Sequence, residues 1–286
     1  MNQSKLRRLQ LPTSWGELII VGGSRAGDGT VILLPQLHLA LDAGRAHRAL
    51  PAMTTVVVSH GHVDHLGGIA YWASQRQLQS MGPARLLAPG AIAPGIEGLL
   101  ATHANLEGGQ PYEVEMVPVE AGERFSLRRD FDLVFFQTDH WVPTLGSRLV
   151  WRRHRLLSEY AALSGEEIAR RRSAGETITE EIETNLLAYC ADCGPGVLEN
   201  QPQALAVEVL LIECSFYRAR DRERAVRYGH MHLDDMLESI DRLSCRHLVI
   251  LHPSRRHRLR EVEKILDDRL RPRLDCSLHH LMIDWD

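Results

Sequence analysis

The chain has 286 residues, 44% of them hydrophobic and 24% charged, with a net charge of −4 when histidine is neutral. These are ordinary values for a soluble globular protein, so a disordered or low-complexity chain is excluded, and the charge gives no global basic field for a polyanion. No run of eighteen apolar residues is present to span a bilayer, the start "MNQSKLRRLQLPTSWGEL" lacks a signal-peptide core, and five cysteines argue against a disulfide framework; the cytoplasm is the expected compartment.

Apolar runs rich in β-branched residues read as strands in chain order: ELIIVGG, TVILL, HLALDAG, TTVVVSH, ARLLAP, YEVEMVPV, FDLVFFQTDH, SRLVWR, NLLAYCAD, AVEVLLIECS, CRHLVILH and LHHLMID. Several are nearly all apolar, as in sheets covered on both faces. Helices are expected from near Asp64 through Gln79, and from near Pro94, Ser164, Asp221, Leu233 and Arg255. Ser164 reads as an N-cap, followed by carboxylates in the first turn. The first part reads as β-rich with hairpin connections and the rest as alternating strand and helix. The expected fold class is α/β, two mixed β-sheets packed together with helices outside, in a single domain 1–286. Residues 152–185, charged and helix-prone, read as a helical surface insertion.

The segment VVVSHGHVDHLGGI carries the chemistry. It sets His60, His62, Asp64 and His65 within six positions at the end of an apolar run. His60 and His62, two apart, point the same way from a strand end. Imidazoles with a carboxylate suit Zn²⁺, Mn²⁺ or Fe. Gly67 and Gly68 let the following helix lie close to its neighbours. Three more ligand-type residues end apolar runs: His140, Asp192 and His252. A sheet delivers such residues to one common edge, and a pair of metals needs about six or seven protein groups.

The order H-x-H-x-D-H, His, Asp, His resembles the metallo-β-lactamase superfamily, whose members fold as an αβ/βα sandwich with two metals at the open edge. DHWVPTLGSRL, LLIECSFY, YGHMHLDDM and VILHPSRRH are similar to segments of ribonuclease Z, the enzyme that trims the 3′ trailer from precursor tRNA. The resemblance covers about residues 15 to 258. It implies one zinc on His60, His62 and His140, a second on Asp64, His65 and His252, and Asp192 between them, with Mn²⁺ or Fe as alternatives. It implies hydrolysis of a phosphodiester, in an RNA 3′ end or a smaller molecule, by attack of metal-activated hydroxide, with Asp64 steering the water. His230 matches the family histidine near the leaving group, and Glu213 the acid that orients it. His232 is the rival imidazole. The family's common homodimer is carried over as an expectation, and no membrane partner is expected.

The sequence departs from that pattern at LDAGRAHRAL, where Asp42 and Gly44 remain and Asp42 is expected to support the metal loop. The long glycine- and proline-rich arm of bacterial ribonucleases Z is replaced by a short helix and loop. Arg255 and Arg256, next to His252, are the candidates for substrate phosphate; Arg152–Arg153 and Arg170–Arg172 read as a solvated helix face. Cys190 and Cys193 flank Asp192 but read as packing residues, and VGGSRAGDG reads as a hairpin turn. The competing readings are a same-fold hydrolase of a non-nucleic-acid ester, lactone or thioester, and a metal-free RNA- or protein-binding relative.

Overall fold

The computed structural model describes residues 6–285; residues 1–5 and 286 of the expected domain lie outside the described residues. The alternation of apolar side chains decides the layering. In CRHLVILH, Val249 and Leu251 enter one core cluster while Leu248 and Ile250 enter another. A strand apolar on both faces must be covered on both. One core lies between the two sheets, with Ile20, Ile32, Leu41 and Val57 from the first and Phe135, Leu149, Leu211 and Val249 from the second. The other two cores sit under the outer helices.

The first sheet runs β1 (Arg7–Thr13), β2 (Gly16–Arg25), β3 (Gly29–Leu34), β4 (Leu39–Ala43), β5 (Thr55–Val57), β6 (Ala84–Pro89) and β7 (Val114–Val119), in that spatial order. β1 to β4 pair antiparallel and β4 to β7 parallel. The second sheet repeats the plan with β8 (Arg124–Arg128), β9 (Phe131–Gln137), β10 (Leu145–Leu156), β11 (Thr179–Tyr189), β12 (Ala206–Glu213), β13 (Ser244–Leu251) and β14 (Ser277–His280). Here too the first four strands are antiparallel and the last four parallel. Each half is therefore a meander followed by a parallel run, rather than a β-rich half followed by an alternating one. β1 and β8, which the apolar pattern did not signal, are edge strands, half exposed and rich in Arg, with Pro12 in β1 where a missing N–H costs nothing.

The helices are α1 (Val63–Leu66), α2 (Ile69–Leu78), α3 (Ala93–Leu106), α4 (Gly165–Ser173), α5 (Gly196–Asn200), α6 (Pro202–Leu205), α7 (Arg222–Tyr228), α8 (Leu233–Glu238) and α9 (Leu259–Ile265). α2 and α3 cover the first sheet with Trp72, Ile96 and Leu100, and α8 and α9 cover the second with Leu233, Met236 and Val262. The single helix expected over Asp64–Gln79 is broken. The Gly68 amide bonds to Ala43 O at 2.6 Å, outside the helix. A Cβ on Gly44 would lie 1.8 Å from Asp64 O, so only glycine lets the strand end touch this turn. The helix expected near Arg255 begins at Leu259, because Ser254–His257 close a turn first.

Residues 152–185 are not a helical insertion. Arg152 to Leu156 pair with Glu183 to Thr179 as an antiparallel continuation of β10 and β11. Pairing across the ladder, as in Arg155–Glu180 at 2.7 Å, overrides the helical propensity of this charged stretch. Only α4 at the tip is α-helical, with the Ser164 hydroxyl accepting from Glu167 N. Arg152 therefore lies on a strand, bonded to Asp132, while Arg170 and Arg171 pair with Glu167. No described helix is long and apolar enough to cross a membrane.

Candidate metal centre and active site

The parallel strands of both sheets end on one edge, and the residues just past their C-termini supply the site, joined there by His140 from the end of the antiparallel β9. Past β5 the chain presents His60, then His62, which precedes α1 with extended backbone, then Asp64 and His65 in α1. His140 follows β9, Asp192 follows β11 and His252 follows β13. Three residues here hold the left-handed backbone that side chains disfavour: Asp42 (φ 59°), Ala191 (φ 54°) and His252 (φ 57°). Each such residue costs on the order of 1–3 kcal/mol, and such strain gathers where geometry serves function.

The structure brings all seven predicted residues together in two sets that share a centre. His60, His62, His140 and Asp192 form one set; Asp64, His65 and His252 form the other. In the first, His60 Nε2 lies 3.0 Å from His62 Nδ1, His140 Nε2 lies 3.5 Å from the same atom, and Asp192 Oδ2 is 3.7 Å from His60 Nε2. In the second, His65 Nε2 is 3.2 Å from His252 Nε2, and Asp64 Oδ2 is 3.3 Å from His252 Nε2. Asp192 Oδ1 is 3.2 Å from His65 Nε2 and 3.5 Å from His252 Nε2, so this carboxylate touches both sets. Ligand atoms around a tetrahedral zinc with bonds of about 2.0–2.1 Å stand about 3.3 Å apart.

The outer nitrogens fix which lone pairs face inward. His65 Nδ1 donates to Asp42 Oδ2 at 2.6 Å, and His140 Nδ1 donates to Gly229 O at 2.9 Å. Ser59 gives its one hydroxyl proton to Asp42, leaving its oxygen to accept from His60 Nδ1 at 3.0 Å. Ser215 likewise donates to Glu213 Oε2 at 2.7 Å and accepts from His252 Nδ1 at 3.2 Å. Four Nε2 lone pairs are thereby aimed at one another, an arrangement that suits a cation. Asp192 Oδ1 is buried and makes no well-aligned hydrogen bond despite its near neighbours. The donor set therefore fits divalent metal. Asp42, buried completely, also accepts from Ser59 N at 2.7 Å and from the Tyr189 hydroxyl.

The side chains' own charges and burial set their proton affinities. Burial opposes an imidazolium at His65, yet Asp192 and Asp42 hold its affinity for protons well above the ordinary value. Burial and the neighbouring His65 push His60 well below its ordinary value. Asp64 is held below the usual carboxylate range: burial would raise it, but the His252 hydrogen bond and the His65 charge prevail. Gly27 N also donates to Asp64 Oδ2 at 2.6 Å, so the expected hairpin turn between β2 and β3 orients this carboxylate.

His230 and Glu213 meet beside this centre, Nδ1 to Oε1 at 2.6 Å. Burial lowers the His230 pKa, but the Glu213 charge and hydrogen bond outweigh it and raise the value to about 9. His232 lies elsewhere. It is buried, its Nε2 faces Arg218 O at 3.0 Å, and its Nδ1 accepts from Asp234 N as the cap of α8. Sequence reasoning did not single out Ser59, Ser215, Tyr189 or Asp139, whose carboxylate accepts from Gly196 N and Val197 N and so anchors the loop beyond Asp192. Cys190 and Cys193 are fully buried in the core under the outer helices, and burial pushes the Cys190 thiol up to about 12.

A cavity of about 400 Å³ opens over His62, His140 and His230. Its wall includes Arg256, but Arg255 points away to Asp28 at 3.2 Å, so the two candidate phosphate ligands part company. Arg224 and Arg227 of α7 line the same cavity. Their signal in the sequence was spacing: residues three apart share a helix face.

Residues 26–253 match the β-lactamase superfamily domain. The chain is 30% identical to tRNase Z TRZ1 of Arabidopsis thaliana over 248 residues, covering 85% of this chain and 88% of that one. Among solved structures, the short form of human tRNase Z superposes with a TM-score of 0.52 at 15% identity, covering 89% of this chain and 92% of the other. Zn(2+)-bound PqqB from Methylobacterium extorquens superposes with a TM-score of 0.61 at 15% identity, covering 93% and 99%. The chain belongs to the β-lactamase superfamily and, within it, to the ribonuclease Z group of metal-dependent hydrolases.

Proposed function

We propose that the protein is a two-zinc phosphodiesterase that cuts RNA, in line with the names of its relatives. His60, His62 and His140 would hold one ion, Asp64, His65 and His252 the other, with Asp192 between them. Bound there, the ions would supply a Lewis acid that lowers the pKa of water and neutralises phosphoryl oxygens. The protein's own groups do the rest. Asp64, fixed by Gly27 N, offers a carboxylate oxygen to orient the attacking water. His230 gives Nδ1–H to Glu213, which leaves its Nε2 proton for the cavity it lines. Arg256 in the cavity wall would face the non-bridging oxygens.

The observation that carries the reading is the Glu213–His230 pair. An alkoxide leaves a phosphodiester poorly unless it is given a proton, and a carboxylate-bound imidazolium is a proton donor. The test is an assay of the zinc-loaded protein on precursor tRNA beside bis(p-nitrophenyl) phosphate and p-nitrophenyl acetate, with metal analysis of the same sample. Cleavage of the precursor and the phosphodiester is expected. Hydrolysis of the acetate alone, at full metal content, would reject the reading in favour of a carboxylic ester, lactone or thioester substrate.

A further inference from the structure

Trp141 directly follows His140 and is 69% exposed. It is nonetheless held in place. Its indole lies on the backbone of Gly229, where an added Cβ would come within 2.5 Å of Trp141 Cδ1. Gly229 also has a φ of +63°, so glycine is required there twice over. Tyr228, the next residue back, is 46% exposed. The guanidinium groups of Arg224 and Arg227 stand 5.9 and 5.8 Å from the Tyr228 ring centre, within cation–π range.

These arginines differ from their neighbour on the same helix. Arg222 is paired with Asp235 and Glu238, whereas Arg224 and Arg227 have no ion pair among the described residues. Like charges three apart on a helix repel, and an exposed indole gains the fold little. The four side chains have in common the cavity they line beside His230. Its volume of about 400 Å³ lies in the range that takes one small ligand. Aromatic faces with guanidinium groups beside them are the means by which proteins hold unpaired nucleotides.

We propose that Trp141 and Tyr228, with Arg224 and Arg227, form a subsite that stacks the base and holds the phosphate of one unpaired nucleotide next to the scissile bond. The subsite lies on the leaving-group side, because Tyr228 and Gly229 lead directly into His230. It rests on the RNA-cleaving reading given above. It also supplies a local grip on a polyanion in a chain whose net charge is −4.

The test is equilibrium binding of a short single-stranded oligoribonucleotide, and of the same chain with its bases removed, to the full-length zinc-loaded protein. Trp141→Ala should weaken binding of the base-bearing chain by about 5- to 150-fold. The two proteins should bind the abasic chain alike. Trp141→Phe, which keeps a stacking face, should recover most of the loss. Arg224→Ala combined with Arg227→Ala should lower the slope of log K against log salt by about 0.7 for each phosphate released. Equal weakening of both chains by Trp141→Ala, or no weakening of either, would overturn the subsite. Base-dependent binding without cleavage would uphold the subsite and reject RNA cleavage; cleavage without base-dependent binding would do the reverse.

Discussion

Replacing Glu213 with glutamine isolates the proton donor. The amide fits the site: its oxygen can accept from His230 Nδ1 and Cys193 N as the Glu213 Oε1 does, and its NH₂ can donate to the Ser215 hydroxyl oxygen. What is lost is the charge. The His230 pKa, about 9 beside the carboxylate, should fall to its ordinary 6.5 or below, since burial already pulls it down. That is roughly 3 kcal/mol less support for the imidazolium. At pH 8 the protonated fraction drops from about nine-tenths to about three-hundredths, so activity should fall about thirtyfold. On the proposed mechanism the protonated ring is the active form, so the alkaline limb of the wild-type profile should lie near pH 9, with the rate declining as pH rises through it. In the variant the same decline should be complete by pH 8. A pH–rate profile of the zinc-loaded proteins reads both limbs. A variant whose alkaline limb stays near pH 9 at unchanged metal content would remove His230 as the donor, and lost metal would show that the carboxylate, through Ser215, also holds His252 in place.

Asp42→Ala strips acceptors from His65, Ser59 and Tyr189 together, and should lower metal affinity by about 10–100-fold in competition with a chromophoric chelator. Withdrawing the ions with a chelator should lower the melting temperature, since ligand at 1,000 times its Kd supports the fold by about 4 kcal/mol; restoring zinc should reverse the change. Arg256→Ala should raise KM for a phosphodiester more than Arg255→Ala, because only Arg256 lines the cavity. Trp72→Ala removes a fully buried ring whose Nε1 donates to Met53 O, and should cost about 3–5 kcal/mol in urea unfolding.

The residues that gather at the centre were legible because their chemistry is unusual in place. Four of them crowd into six positions behind a valine run, and His140, Asp192 and His252 each close an apolar strand. The residues that orient them were not. Ser59 and Ser215 are ordinary serines until the fold sets them between a carboxylate and an imidazole. Arg224 and Arg227 sit in a helix of mixed charge, and only the packing of α7 shows which face is unpaired. The twelve apolar strands follow from period and composition. The edges β1 and β8 do not, because an edge strand needs one apolar face at most. The charged stretch 152–185 misleads because local propensity favours helix while a partner strand, distant in no property but sequence, takes the backbone hydrogen bonds.

The repeated halves have a consequence for assembly. Neither half owns a complete set of the gathered side chains: His60 and His62 come from the first and His140 and Asp192 from the second, while Asp64 and His65 from the first face His252 from the second. Each ion, once bound, would act as a rivet through the seam between the sheets. Metal retention in this chain is thus a gauge of whether its two seven-stranded layers have closed on each other.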